Sequence, residues 1–460
     1  MSDVPLSDVT GSATKPDSDL KRSITGWLLF FYVLGDVLGS GIYVLIGSVA
    51  GAVGGAFWIA FAVGVSVATI TGLAYAELVT KYPQAAGAAL YVQKAFENKF
   101  LTFLIAFCML SASFAAAGSL ATGFASYFLE VWDLPPELLL ALAFIVVLAV
   151  INFIGITESV MANVVMTIIE VAGLVIIMVI GVMYVAQGEA DLGTLTSFES
   201  SGKSPLFAVV AGVALAFFAM TGFENAANVA EETVDPQRSF PRALVGGMVV
   251  AGILYVLVAM TAALTVPIGT LAGSDAALLE VIKADILPIP LTVMTILFAV
   301  IAMIAITNTC LVALVTESRI LYGMAREDVV PGVFSKVHLT RRSPWVALIF
   351  SAVVIAGLLL SGADLDRLVA VTVVFTLFIY GLVIVAALKL RNRDVGEGTF
   401  RAPTALLVIG IIGNAVLLGY VVYTDPASLI FCASLLGVGL VLFLLEYFFG
   451  SRSSSSSTGG

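Results

Sequence analysis

The sequence predicts an all-α integral membrane protein with twelve transmembrane helices, arranged as a 5+5 inverted repeat in which helices one and six are broken. Three observations predict it. Of 460 residues, 60% are hydrophobic and 11% charged, whereas a soluble globule carries about 25% charge. Apolar runs of roughly 18 or more residues recur along the whole chain, long enough to cross a hydrocarbon core of about 30 Å as helices, whereas barrel strands would be short and alternating. Glycine-containing breaks interrupt two of these runs, five spans apart.

Residues 1–23 are polar, contain Pro5, Pro16 and four Asp, and read as a cytosolic N-terminal tail without a signal peptide. The first span, residues 24–50, holds the break Gly39-Ser40-Gly41-Ile42. Uninterrupted apolar stretches predict the next four at 54–80, 98–129, 138–154 and 159–187, which close repeat one at about residues 24–187. The sixth, 205–232, carries the second break, Phe218-Ala219-Met220-Thr221-Gly222-Phe223-Glu224, followed by more helix. Spans at 241–267, 288–323, 344–361 and 366–389 complete repeat two, about 205–389, and helices eleven and twelve at 402–423 and 427–449 are additions. Five is odd, so the second repeat starts on the opposite side from the first and the two are inverted. Loops are short except at 187–205 and 327–344, which makes residues 24–450 one transmembrane domain; the Ser-rich end, 451–460, reads as a disordered tail.

Lysine and arginine set the orientation. With the N-terminus inside, the cytosolic loops hold Lys81, Lys94, Lys99, Arg238, Arg242, Arg326, Arg341, Arg391 and Arg393 among others, and the outer face only Lys203, Lys283 and Arg367. Both termini are therefore expected to be cytoplasmic, in a cell membrane. The outer loops carry a surplus of acids, including Glu130, Asp275, Glu280 and Asp366; it either gathers cations at an outer mouth or simply reflects loops stripped of positive charge. The net charge of −10 implies no nucleic-acid partner. Cys108, Cys310 and Cys432 fall within apolar spans, and the single histidine, His338, lies in a loop, so a histidine metal cluster or histidine proton relay has no residues to build it.

A helix that unwinds inside a membrane leaves backbone N–H and C=O groups without partners, at several kcal/mol each, unless protein, water or a ligand satisfies them. Corresponding breaks in two halves point to an inverted-repeat transporter with its site near the midplane. At Gly39, Ser40 and Gly41 small side chains admit a ligand to the backbone, and the half-helix starting near Ile42 aims its N–H groups at an anion such as a carboxylate. In the sixth span the carbonyls of Phe218, Ala219 and Thr221 suit an ammonium group. Together they describe a receptor for a zwitterion such as an amino acid; the alternative is that these glycines serve close helix packing.

From residue 24 to about 450 the chain resembles the amino acid/polyamine/organocation transporter superfamily, and in particular its bacterial amino acid permeases. The resemblance rests on Leu38-Gly39-Ser40-Gly41-Ile42-Tyr43, on Ala76-Glu77-Leu78 with Tyr82-Pro83-Gln84-Ala85-Ala86-Gly87-Ala88, on Gly222-Phe223-Glu224 with the stretch from Ala230 to Ala243, and on Arg319-Ile320-Leu321-Tyr322-Gly323-Met324-Ala325-Arg326. It implies a leucine-transporter-like fold, alternating access and secondary active amino acid transport. It also implies that Ser40 and Gly41 hold the substrate carboxylate, that the carbonyls of Val37, Phe218, Ala219 and Thr221 face its amine, and that the Phe218 ring is an outer gate. Glu170 departs from the resemblance, since similar members carry there a lysine whose amine mimics a sodium ion.

Asp36, Glu170 and Glu224 lie deep in predicted spans, with no lysine or arginine beside them in the sequence. A buried carboxylate without a counter-charge must be protonated, reach water or bind a cation. Glu170 is expected to carry the coupling proton, with Glu224 and Asp36 as partners; a neutral glutamic acid bonded within the bundle is the structural alternative. Asp36 could instead meet a cationic substrate or sodium, and Glu224 could brace the broken helix. Glu77, Glu231, Glu232 and Glu317 are expected near cytosolic helix ends, solvated or paired with Arg238, Arg242 or Arg319. Pocket candidates are Ala116, Met220, Asn225, Thr307, Asn308 and Phe375.

The function expected is proton-coupled amino acid uptake, the alternatives being an amino acid or polyamine exchanger or a sodium symporter. A channel would need rings of selectivity groups that the chain lacks, and a pump a phosphate-binding loop. No enzymatic activity or cofactor is expected. The partners are a small amino acid and the lipid bilayer, and no obligate protein partner is implied.

Overall fold

The computed structural model describes residues 24–39, 41–84, 87–132, 136–154, 160–198, 204–326, 329–339, 341, 343–393 and 398–449. The two tails and Ser40 lie outside them. Helix α1 (Gly26–Leu38) starts at Thr25, whose hydroxyl accepts the Leu28 N–H at 3.4 Å, and ends where the Gly39 N–H bonds the Gly35 carbonyl. Helix α2 (Gly41–Val53) follows at 41° to α1, so the first apolar run is one bent span.

The chain continues through α3 (Trp58–Lys81), α4 (Gly87–Phe96), α5 (Lys99–Leu129), α6 (Glu137–Ile154), α7 (Val160–Ala186), α8 (Pro205–Phe218) and α9 (Pro236–Thr265). Two short helices, α10 (Ile268–Ala272) and α11 (Ala277–Lys283), precede α12 (Leu291–Arg326), α13 (Trp345–Leu360), α14 (Leu365–Leu390), α15 (Thr404–Thr424) and α16 (Ser428–Phe449). Starts are marked by side chains that take up free N–H groups: Asn98 accepts Leu101 N–H at 3.1 Å before α5, and Asp364 accepts Arg367 N–H at 3.0 Å before α14.

Among the described residues nine helices are long and apolar enough to cross a membrane, ten when α1 and α2 count as one span. The expected spans six and nine form α8 and α13, apolar helices of 14 and 16 residues. The second half of span six is helical as expected but more tightly wound: beyond Gly222 it is a 3-10 helix, Phe223–Glu232. The Glu224 carboxylate turns back to accept the Gly222 N–H at 2.8 Å, and Asn225 N–H bonds the Gly222 carbonyl at 2.9 Å. That tighter i to i+3 pattern suits a short polar stretch whose side chains compete for backbone groups.

Alternate crossings bring the beginning and end of the described chain to one face, called here the terminal face. There Ile24 pairs with the end of the 3-10 helix: its N–H bonds the Glu232 carbonyl at 3.0 Å and its carbonyl accepts the Val234 N–H at 2.8 Å. On the opposite face α10 and α11 pack against α2, closely enough that a Cβ at Gly47 would sit 2.5 Å from the Leu271 carbonyl oxygen. Inside the bundle α1 packs against α9 and α7, and α5 against α12 and α14, which surrounds both breaks with helix on every side.

Candidate functional site

The two breaks touch, and glycine is what lets them. Gly222 adopts φ 113°, a left-handed conformation open to glycine and strained for other residues, and a Cβ there would lie 2.6 Å from the Asp36 carbonyl oxygen. At Gly41 a Cβ would lie 2.4 Å from the Ala219 Cα, and at Gly39 2.4 Å from the Thr309 hydroxyl oxygen. Close packing and an open backbone are here the same geometry.

Tyr255, buried in α9, ties the breaks together. Its hydroxyl oxygen lies 2.6 Å from the Val37 carbonyl oxygen, 3.0 Å from that of Leu38 and 3.2 Å from that of Ala219. One proton serves three acceptors, so lone pairs remain for another donor. The Phe218 carbonyl is occupied, taking the Thr221 N–H at 3.1 Å and the Thr221 hydroxyl at 2.7 Å.

Beside the breaks is a cavity of ≈ 110 Å³. Val37, Gly39, Gly41, Phe218, Ala219 and Thr221 all line it, with Asp36 and Glu224; Ser40 lies outside the described residues. The lining continues along α12 from Thr309 to Ile320 and along α14 from Thr372 to Tyr380, that is, from the breaks towards the terminal face. On the other side the Phe218 side chain is buried, Tyr127 donates to the Tyr43 carbonyl at 2.9 Å, and Lys283 bridges Glu130 at 2.7 Å and Glu280 at 2.9 Å. The cavity is therefore covered from the opposite face.

The three deep carboxylates form a series. Asp36 is 5% exposed, lines the cavity next to Asn225, and one of its oxygens, Oδ2, has no hydrogen-bond partner. Glu224 is braced, accepting the Tyr380 hydroxyl at 2.6 Å as well as the Gly222 N–H. Glu170 is fully buried behind the cavity wall; its Oε1 accepts Asn308 Nδ2 at 3.2 Å, its Oε2 has no partner, and its backbone carbonyl accepts the Tyr43 hydroxyl at 2.8 Å. Asp36 is the middle member, within electrostatic reach of both Glu224 and Glu170. None of the described residues that line the cavity is basic.

Residues 24–443 match the sequence profile of the amino acid permease family. The chain belongs to that family. It is 26% identical over 428 residues to the branched-chain amino acid permease BcaP of Bacillus subtilis (strain 168), an alignment covering 87% of this chain and 88% of the relative. It is 25% identical over 468 residues to the methylthioribose transporter of the same bacterium, covering 97% of each. To the chloroplastic cationic amino acid transporter 9 of Arabidopsis thaliana it is 29% identical over 359 residues, 73% of this chain and 60% of that longer one. This permease is thus a multi-pass membrane protein of a transporter family.

Several sequence expectations for the permease fall elsewhere. Of the pocket candidates, Ala116 and Asn225 line the cavity. Thr307 lines a separate apolar groove with Phe124, Phe128, Trp132 and Met166, Phe375 is buried in α14, and Asn308 serves Glu170; Met220 is buried off the cavity. These positions share helix faces that a sequence without contacts does not orient. Glu77 pairs not with Arg238, Arg242 or Arg319 but with Arg391, at 2.8 and 3.2 Å, both side chains buried, and also accepts the Ala402 N–H at 2.9 Å. Glu317 is fully buried rather than solvated; α12 runs nine residues beyond it to Arg326. The Glu231 side chain lies outside the described residues. Tyr75, Tyr255 and Tyr380 also line or join the site, and the one signal of this in the sequence is that a tyrosine in an apolar span carries a hydroxyl in need of a partner.

Proposed function

We propose that the permease carries an amino acid across the plasma membrane by alternating access, with both termini cytoplasmic and uptake coupled to protons. The observation that carries this reading is the contact of the two breaks at a cavity lined by Asp36 and Glu224. The substrate carboxylate docks at the start of α2, near Gly41, where free N–H groups attract an anion. Its amine docks at the Val37 and Ala219 carbonyls, which keep acceptor capacity beside Tyr255. In a leucine-transporter-like inverted repeat, α1–α2 and α8 with its 3-10 continuation are the counterpart broken spans. The closed α10–α11 side is then the outer face, and the conformation is the one approached from the cytoplasm.

Glu170 is the proton carrier in this reading. A carboxyl without a cationic neighbour, one oxygen unpaired and Asp36 nearby, loads a proton while the site is dry and releases it when the bundle rearranges. The test is uptake into proteoliposomes under an imposed pH gradient. Glu170→Gln is expected to abolish concentrative uptake while sparing counterflow; intact gradient-driven uptake would refute the assignment.

One observation favours a second reading. The unpartnered Asp36 oxygen on the cavity wall suits a cationic side chain, and relatives include cationic amino acid transporters. In that case the substrate brings its own charge and the permease exchanges without a coupling ion. Counterflow that persists unchanged without any ion gradient, with no gradient-driven accumulation, would select it.

A further inference from the structure

Glu317 is a titratable group that the site above does not use. It is fully buried in α12, and neither carboxyl oxygen has a hydrogen-bond partner. It lies eight residues beyond Thr309, the neighbour of Gly39, and so about 12 Å further along the helix towards the terminal face. Its polar neighbours are the hydroxyls of Ser113 on α5 and Ser351 on α13. The Ser351 oxygen is itself buried and without a partner.

Two neutral hydroxyls within bonding reach are weak company for a carboxylate, and a full negative charge buried with no more than these costs several kcal/mol. Among the described residues no lysine or arginine bonds either carboxyl oxygen. From α5 and α13 the groups that face Glu317 are uncharged hydroxyls, and on α12 the titratable group within reach is Cys310. A carboxylic acid resolves the arrangement with one proton: the O–H donates to one serine and the carbonyl oxygen accepts from the other. Ser113 also lines the cavity, as do Thr316 and Ile320 beside Glu317 on α12. The carboxyl is therefore one side chain away from the solvent path.

We propose that Glu317, with Ser113 and Ser351, is a second proton-binding site of the permease, separate from the Asp36, Glu170 and Glu224 series. The proton comes from water in the cavity to the carboxylate, forming one O–H bond, and returns to water by the reverse step. The site holds its proton while Glu317 stays sealed behind Ser113, as it is here, and yields it when a rearrangement of α5 against α12 admits water to the carboxyl. The proposal does not depend on which substrate is carried.

The test is the infrared difference spectrum between acid and alkaline pH of the full chain in lipid nanodiscs, without substrate or gradient. A carboxylic acid C=O band is expected that persists in Glu170→Gln, Asp36→Asn and Glu224→Gln and is lost in Glu317→Gln. A band unchanged in Glu317→Gln overturns the proposal. So does a sodium-dependent shift of the carboxylate bands at constant pH that Glu317→Gln removes, which would make this a metal-cation site. Should Glu317→Gln not fold, Ser113→Ala with Ser351→Ala is expected to shift the same band by removing its hydrogen-bond partners, and an unshifted band refutes the site. Failure here leaves the role of Glu170 untouched, because no transport is measured.

Discussion

The Tyr255 hydroxyl lies 2.6 Å from the Val37 carbonyl oxygen, and so a side chain from the middle of α9 fastens the first break. The same hydroxyl is 3.2 Å from Ala219 at the second. Removing it unties both strands of the site at once. Tyr255→Phe is expected to lose about 1–1.5 kcal/mol of buried hydrogen bonding, and with it roughly tenfold in substrate affinity by calorimetry. Unchanged affinity would mean that the hydroxyl only braces the fold.

Alanine at either contacting glycine pushes backbone against backbone. Gly41→Ala meets the Ala219 Cα, and Gly222→Ala meets the Asp36 carbonyl in a left-handed conformation. Both variants are expected to reach the membrane in reduced amount and to transport at less than about a tenth of the wild-type rate. Gly323→Ala, where a Cβ meets nothing within 4 Å, is the control that should transport normally.

Asp36, on the cavity wall, is where the two proposed readings can be told apart. Asp36→Asn keeps the shape of the wall but removes its charge, so a cationic amino acid is expected to lose about tenfold or more in affinity and a neutral one less than about threefold. A competition series with lysine, arginine and leucine reads this directly. Equal losses would place Asp36 in ion coupling rather than recognition.

Arg391 and Glu77 hold α14 and the segment before α15 to the end of α3. Both are buried, and Arg391 also donates to the Ala402 carbonyl and the Thr404 hydroxyl. Breaking one partner strands the other charge at about 3–5 kcal/mol. Glu77→Gln is thus expected to lower the thermal transition in detergent sharply, and the apolar pair Glu77→Met with Arg391→Leu to recover much of the loss.

The bridge of Lys283 to Glu130 and Glu280, on the covered side of the cavity, should not respond to physiological pH. Burial pulls its ammonium down, while the hydrogen bonds it donates to Glu130 and Glu280 push it up, and the net position is above the ordinary lysine value. A raised pKa means that the contact is fully present below about pH 10 and is lost only as pH rises beyond it. Its side chain is 36% exposed, so its contribution is at most about 1 kcal/mol. Uptake profiles of the wild type and Lys283→Met are expected to run parallel from about pH 6 to 9; divergence there would assign the pH response to this bridge.

The helical plan was legible because each apolar run is long, and both breaks were legible because Gly39, Gly41 and Gly222 interrupt runs that otherwise continue. What joins the breaks was not. Tyr255 lies 36 residues beyond Ala219 and 217 beyond Leu38, and only packing brings its hydroxyl to both. Glu77 and Arg391 are 314 residues apart, so charge order along the chain suggested nearer partners. The 3-10 form of residues 223–232 depends on the Glu224 side chain folding back, a choice that propensity alone does not make. Thr307 and Asn308 are adjacent in sequence yet serve an apolar groove and Glu170 respectively, because neighbours on a helix point about 100° apart.

Ile24 hydrogen-bonds on both sides of Thr233, and from Gly26, two residues on, an unbroken helix runs about 15 Å to Asp36. The two arms leading from the terminal face to the breaks are thus yoked at that face and in contact again at Gly222. With two fastenings and no intervening loop in the first arm, they form one lever, so a displacement of the first span is expected to carry the sixth with it.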